Sequence, residues 1–432
     1  MDTLLLIAAR NLLANRRRTL LLGGAIATVT GILVLLASLS NGMSETMLRV
    51  ATTLSTGHVN VGGFYKMTTT DASPMITEVP KILEAVRSLG PDVTDVVVRG
   101  RGWGKLVSDG GKQEGVLVGI DVATEKGFRD VVTLVDGSFD ALEQPGSCLI
   151  FAGTAERLEV KAGDDVTLSA PTLRGAQNTA DCRIAAIAKD MGMLSSFSMF
   201  VHHDTLRGLY QMKPDQSGAV HIFLRDPELA EDVAAKLRTR LADAKFRIMD
   251  PVPEPFFRKF QSVAREDWNG QKLDVTTWSD EMAFMRYTLQ TFSLLTLVFV
   301  TILLGIIILG VMNTMMMSIR ERTREIGTLR AIGMHQPSVL VMFVFEAALL
   351  SLGATITGSV LGSLLVLALD AAQIPVSKGF QMFLMSEKLH LMVDVKTALV
   401  AIVSIGTVTT LSSLLPSWRA SRKPPVTAMQ SA

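Results

Sequence analysis

Apolar residues gather into four long runs, and between the first and second the pattern shifts to short alternating and helical periods. A spanning helix needs about 20 mainly apolar residues. Residues 19–39, 290–317, 338–369 and 397–416 meet that demand. The third run is longer than one bilayer requires, which predicts a tilt or a first turn at the interface. Residues 1–18 read as an amphipathic helix ahead of the first span. The first run exceeds the ~7–15 residues of a signal-peptide core, and LASLSNGM is a poor small-residue cleavage site. It reads as an anchor.

The intervening region, 40–289, is long enough for one or two globular domains. Its texture is mixed α/β. Asp109-Gly110 joins the β-type runs WGKLVS and EGVLVGI, a hairpin signal. Pro80 opens a helical run with Ile82, Leu83, Val86 and Leu89 on one face. Asp226-Pro227 is a helix start followed by Leu229, Val233, Leu237 and Leu241. RIAAIAKD and SGAVHIFL read as strands. Pro251, Pro253 and Pro255 mark an irregular stretch leading back toward the membrane, and Phe256, Phe257 and Phe260 behind it are expected in the core rather than in an exposed strip. The fold class is therefore a membrane protein of four transmembrane α-helices with a large mixed α/β domain between the first and second.

Charge sets the orientation. Charged residues make up 19% of the chain, below the roughly 25% of soluble domains. Arg10, Arg16, Arg17 and Arg18 precede the first span, Arg320, Arg322, Arg324 and Arg330 follow the second, and Arg419, Arg422 and Lys423 follow the fourth. The short loop 370–396 carries only Lys378, Lys388 and the bordering Lys396. The positive-inside rule then puts both termini, the tail 417–432 and segment 318–337 in the cytoplasm, with 40–289 and 370–396 outside. A net charge of +1 and no long basic tract give no reason to expect nucleic acid as a partner.

Catalytic chemistry is not evident. No GxxxxGK[ST] phosphate loop occurs, since Gly104-Lys105 and Gly111-Lys112 continue with Leu and Gln. His202, His203 and Asp204 are adjacent, and neighbours along a strand point to opposite faces, so a turn or surface role is expected over a metal site. The 22 methionines, among them Met312, Met315, Met316 and Met317, suit flexible apolar packing better than copper ligation. Cys148 and Cys182 lie in the outer region, where a disulfide is permitted but pairing is left open. Within the spans Glu346 stands out as an intramembrane polar site, or as a carboxylate that reaches water or an arginine near the interface. Gly358 and Gly362 form a GxxxG pair with Gly353 nearby, a pattern for close helix packing.

The order of short helix, span, large outer domain and three spans, with NTMMMSIRERTREIGTLRAIG between the second and third, resembles the MacB/FtsX superfamily of ABC transporter permeases. LLPSWRASRKPPVTAM is similar to that family's C-terminal ending. Within the superfamily, STGHVNVGGFYKM, VLVGIDVATE, LEVKAGDDVTLSAP and VTTWSDEM look closest to the LolC/LolE lipoprotein-releasing type. The stretch SAPTLRGAQNTADCRI, where that type carries a proline-containing carrier-binding hook, is short and has Pro171 alone.

The resemblance implies a MacB-like periplasmic core over 40–289 and an FtsX-like permease domain over 290–425 in the inner membrane. It also implies two copies of a separate ABC ATPase, which would bind ATP and magnesium, so no cofactor is expected in this chain. A second permease copy, identical or paralogous, a periplasmic carrier or adaptor protein and membrane lipids are the other partners it implies. Lipoprotein or another amphiphile would be expelled from the outer leaflet by transmitted movement. An FtsX-like signalling permease and a MacB-like exporter with an adaptor and outer-membrane duct are the alternatives.

In segment 318–337, Ile319, Ile326 and Leu329 recur near one face, with Ile332 partly alongside. Arg320 with Arg324, and Glu321 with Glu325, form like-charge i,i+4 rows that mildly destabilise an isolated helix. A partner surface of opposite charge would relieve them. The segment is thus expected to be the coupling helix that docks on the ATPase, through Arg320, Arg322, Arg324, Glu325 and Arg330, with Gly327 and Gly333 allowing close approach or a bend.

Overall fold

The computed structural model describes residues 2–14, 16–68, 71–172 and 175–422. Lys423 and the end of the C-terminal motif, like positions 173–174 of the hook-equivalent stretch, lie outside the described residues. The chain forms two compact units: Met1–Ser44, Leu289–Pro375 and Lys388–Ala432 make one, and Glu45–Thr288 with Val376–Glu387 the other.

The first unit is helical. A helix at Asp2–Ala14 precedes four long ones, Arg16–Ala51, Ala283–Glu321, Gln336–Ala371 and Val395–Ser421, each with a stretch apolar enough to cross a membrane. The helices overrun the apolar runs at their ends. Their outward residues, such as Leu294, Phe299, Leu364 and Val403, are large and exposed, while Ile26, Val34, Val311, Ala347, Ala401 and Ile405 pack inside. Asp394 caps the last helix, its carboxylate accepting from the amides of Lys396 and Thr397 at 3.1 and 3.2 Å.

Glycine brings the first and third spans together. A Cβ built on Gly358 would stand 2.2 Å from the carbonyl oxygen of Ala27, and one on Gly362 would stand 2.8 Å from the Cα of Gly31. The backbones touch there, the approach that small residues permit in membranes. Gly353 does not share this contact: it is exposed, with nothing within 4 Å of its Cβ position.

The second unit is built on one sheet of eleven strands among the described residues: β1 (Val59–Thr68), β2 (Asp71–Ser73), β3 (Val93–Val107), β4 (Lys112–Ile120), β5 (Leu134–Gly137), β6 (Ser147–Phe151), β7 (Asp165–Pro171), β8 (Gln177–Ala188), β9 (Ser198–His202), β10 (Ala219–Leu224) and β11 (Gly270–Thr277). Their order is β11-β1-β10-β3-β4-β9-β6-β8-β5, with β2 on β1 and β7 against both β3 and β8. The 15-residue β3 changes partner midway: residues up to Arg99 pair with β10, and Gly100 onward with β4. One strand thus holds two sub-sheets.

Each sub-sheet has its own core. Val59, Val61, Val220, Ile222, Leu273 and Val275 alternate onto one face and meet Ile82, Val86, Val233 and Leu237 of helices Val79–Arg87 and Ala230–Asp243. In the other, Leu117, Ile150, Leu168 and Ile184 meet Leu206 and Leu209 of helix His203–Tyr210. The alternating glycines of β3 admit that helix, since a Cβ on Gly102 would stand 2.2 Å from the Tyr210 hydroxyl. The hydroxyl donates to the Trp103 carbonyl at 2.7 Å.

The hairpin at Asp109-Gly110 is present, with Val107 opposite Lys112. Pro80 sits in the first turn of its helix, and the Asp226 carboxylate caps the turn that leads into Ala230–Asp243. Cys148 and Cys182 are buried side by side and unbridged. The hydrogen bond that the Cys148 S–H donates to Cys182 holds the thiol neutral and pushes its pKa well above the ordinary range, with burial adding to it. His202 caps helix His203–Tyr210 through Nδ1, which accepts from the Asp204 amide at 3.2 Å. Among the described residues no three His, Cys, Asp or Glu side chains are placed to hold a metal.

Two outcomes differ from the expectations. Helix Phe256–Arg265 turns Lys259 and Val263 inward, while Phe257 is 62% exposed and Phe260 38%. The inward position faces Asp274, and a buried carboxylate requires a charge or hydrogen-bond partner more than the sheet requires a phenyl ring. The loop between the third and fourth spans also divides: Val376–Glu387, with helix Lys378–Leu384, belongs to the outer unit. Leu384 and Met385 are buried there, a Cβ on Gly192 would stand 2.8 Å from the Met382 carbonyl, and Lys189 pairs with Glu387 at 2.9 Å.

Candidate functional site

The charged segment after the second span is continuous helix only as far as Glu321. At Arg322 the backbone leaves helical geometry, with φ −102° and ψ 12°, and a new helix runs Thr323–Ala331. The break turns Arg322 inward. Its Nη1 donates to Oε2 of Glu346 at 3.1 Å, its Nε donates to Oε2 of Glu325 at 3.0 Å, and its guanidinium lies 5.8 Å from the Phe343 ring. The side chains of Arg322 and Glu346 are 14% and 2% exposed. A carboxylate this buried is stable as an ion only when paired, so Glu346 and the arginine at the break explain each other.

Arg322 therefore faces the third helix rather than outward. Arg320, Arg324 and Glu325 are exposed, and Arg330 is partly so. Thr323, Ile326 and Gly327 form the buried side of the short helix, where Ile319 and Ile326 pack with Val339, Met342 and Phe343. Leu329 is half-buried, and Ile332 is 79% exposed. Gly333, at φ +111°, ends the helix: its amide donates to Arg330 at 3.1 Å and that of Met334 to Leu329 at 3.0 Å. Nothing lies within 4 Å of a Cβ built there, so Gly333 supplies the turn and not a close approach. Arg320 and Arg419 border a groove with Asn313 and Met316.

A second polar assembly, which the sequence reading did not single out, lies in the outer unit. The alternation that puts valines of β1, β10 and β11 into the aliphatic core puts Asn60, His221, Asp274 and Thr276 on the opposite face. Asn60 stands opposite both His221 and Thr276. Helix Phe256–Arg265 is held to this face by Lys259, whose Nζ donates to both carboxylate oxygens of Asp274 at 2.8 and 2.9 Å. Glu281 accepts from Thr276 Oγ1 at 2.8 Å and from the Phe256 amide at 3.2 Å.

Two arginines from the changeover of β3 complete it. Arg99 is paired with Glu125 through Nε and Nη2, and its Nη1 donates to the Leu54 carbonyl at 3.0 Å. Arg101 donates through Nη2 to Asn60 Oδ1 at 3.2 Å and lies 4.0 Å from the Phe256 ring. Burial lowers the pKa of His221 well below its ordinary value, with Arg99 and Arg101 acting the same way, so the ring is neutral. Burial raises the carboxyl pKa of Glu281 and of Asp274 against the pull of their cationic neighbours. The signal along the chain is thin: Asp274 and Thr276 alternate with Leu273 and Val275 in LDVTT, while Asn60 and His221 are single polar residues within VNVGG and AVHIF.

Residues 19–240 match the MacB-like periplasmic core domain, and residues 297–425 match the FtsX-like permease C-terminal domain. Among curated proteins, the pyoverdine export ATP-binding/permease protein PvdT of Pseudomonas syringae pv. tomato is 32% identical over 28% of this chain and 16% of its own length. The macrolide export ATP-binding/permease protein MacB of Chlorobaculum tepidum is 38% identical over 25% of this chain and 16% of its own. The chain thus aligns with about a sixth of the length of these relatives. Among solved structures, the periplasmic region of MacB from Actinobacillus actinomycetemcomitans is 12% identical with a TM-score of 0.31, covering 53% of this chain and 92% of that one. The extracellular domain of the transporter YknZ from Gram-positive bacteria is 16% identical with a TM-score of 0.30, covering 43% and 94%.

Proposed function

The chain belongs to the MacB/FtsX family of permeases, and from that premise we propose that it is the permease subunit of an ATP-driven ABC transporter that moves lipoprotein or another amphiphile out of the membrane's outer leaflet. The carrying observation is the charged break after the second span. Arg320, Arg324 and Glu325 stand in solvent on a short helix tied through Arg322 to Glu346 of the third span. A force applied to that helix enters the second span along its backbone and the third through this ion pair.

In this reading both termini and the Thr323–Ala331 helix face the cytoplasm, following the arginine distribution. A dimer of a separate ATPase supplies ATP and magnesium, and its closure pushes on the short helix. A second permease copy completes the path, and a periplasmic carrier or adaptor protein receives the cargo. The export of pyoverdine or macrolides named for the relatives concerns those proteins; amphiphilic cargo is inferred here from the LolC/LolE-like segments of the outer domain.

Charge reversal tests the coupling. The double variant Arg324→Glu with Glu325→Arg, assembled with its ATPase in nanodiscs, should retain ATP hydrolysis while cargo release falls about tenfold or more, as loss of a docked charge pair of ~1.4 kcal/mol implies. Unchanged coupling would reduce the segment to a topological signal.

A further inference from the structure

Coupling gives no role to the cavity beside the polar face of the outer unit. It encloses about 360 Å³, within the range of about 300–1,000 Å³ typical of small-molecule sites. Most of its wall is apolar and deformable, formed by Val116, Val118, Met193, Leu194, Phe197 and Met385. Unbranched methionines adapt to irregular apolar guests.

The polar end is incomplete. Arg101 is 8% exposed and His221 2%. Arg101 makes one hydrogen bond, to Asn60, and no ion pair within 4 Å among the described residues. His221 Nδ1 is fully buried with no hydrogen-bond partner. Both residues line the cavity. Leaving such groups unmatched is costly. Two other charged residues there are already engaged, Arg99 with Glu125, and Glu281 with Thr276 and the Phe256 amide. What stays open is hydrogen-bonding capacity, on the Arg101 guanidinium, whose charge the nearby Glu281 and Asp274 carboxyls offset in part, and on the His221 imidazole.

We propose that this cavity binds a single-chain anionic amphiphile, with its carboxylate or phosphate at Arg101 and His221 and its acyl chain along the methionine- and phenylalanine-lined wall. The neutral imidazole donates one hydrogen bond, and the guanidinium donates through the N–H groups that Asn60 does not use. Leu54, Ser55 and Thr56, which follow the first long helix in the chain, and Met282, Ala283 and Met285, where the second begins, also line the cavity. The ligand would touch both chain segments that join this unit to the spans. The assignment deepens the amphiphile reading and rests on it only for the ligand's part in transport.

The test uses the full chain in phosphatidylcholine nanodiscs without any ATPase, so its result is separate from coupling. The probe is palmitate carrying a photoactivatable diazirine on its chain. Label should appear in peptides containing Val116, Val118 and Met193, and excess palmitate or lysophosphatidate should displace it, whichever head group competes better naming the natural anion. Hexadecanol should compete about tenfold less well, and Arg101→Gln should lower labelling about tenfold, as loss of a charge-assisted contact worth ~1.4 kcal/mol implies. Met193→Trp fills the wall without touching the anion-binding groups, and should lower labelling in a chain whose fold is intact by amide hydrogen exchange. Label confined to the spans, or unchanged in Met193→Trp, would overturn the site. Equal competition by hexadecanol would overturn the anionic head group.

Discussion

Arg322 and Glu346 are 24 positions apart in the chain and 3.1 Å apart in space, joining the break after the second span to the third. Their burial makes the pair matter more than a surface ion pair would. Arg322→Ala removes a cation from a carboxylate that is 2% exposed, which should cost about 3 kcal/mol or more of stability. The double variant Arg322→Gln, Glu346→Gln should recover a large part of that loss. Thermal unfolding of the four variants in detergent checks this, and strictly additive losses would show that the two residues do not act together.

Close packing of the first and third spans gives a sharper contrast. Gly358→Ala places a methyl 2.2 Å from the Ala27 carbonyl oxygen, so the helices must separate, at about 1–3 kcal/mol. Gly353→Ala meets nothing within 4 Å and should be neutral or slightly stabilising through helix propensity. The ranking of their unfolding temperatures is the measurement.

Helix Phe256–Arg265 predicts an inversion of the usual rule for phenylalanine and lysine. Lys259→Met leaves Asp274 buried without its cation and should destabilise the outer unit by about 3–5 kcal/mol. Phe257→Ser, at a position 62% exposed, should cost within about 0.5 kcal/mol. Amide hydrogen exchange across β11 in the full chain distinguishes them.

Acid should loosen the polar face through His221. Its folded pKa lies well below the ordinary 6.5, so its contribution is complete above that value and is lost as pH falls through the folded one. Glu281 has the opposite sign. Burial raises its pKa above the ordinary 4.5, so its contribution is complete below 4.5 and fades as pH rises through the folded value. Acidification below 6.5 should therefore reduce exchange protection of β10, and His221→Asn should flatten that dependence. An identical slope in the variant would assign the effect to another group.

What could be read from the chain was mostly local or periodic. The four apolar runs, the Asp109-Gly110 turn, the Pro80 and Asp226-Pro227 helix starts and the GxxxG pair each depend on near neighbours, and each has its counterpart in the structure. The polar face did not show itself, because Asn60, His221 and Asp274 come from three strands separated by more than fifty residues and become a row only through pairing. The inward turn of Arg322 depends on one break in the backbone, which a helical wheel carries straight through. The expectation that Phe257 and Phe260 lie in the core fails because hydrophobicity ranks Phe above Lys, whereas the charge of Asp274 decides which of them the sheet accepts.

The packing of Gly192 against Met382 and Met385 bears on how this protein is divided for study. A fragment cut at residues 45 and 288, the ends of this unit's main stretch of chain, omits Val376–Glu387. It would lose the Lys189–Glu387 pair and the Met385 side of the cavity, uncovering a turn whose glycine is shaped to receive them. Ligand binding absent from such a fragment would be a property of the cut. A fusion that grafts residues 376–387 onto the fragment is the faithful unit, because the fold's boundary here is drawn by contact and not by sequence order.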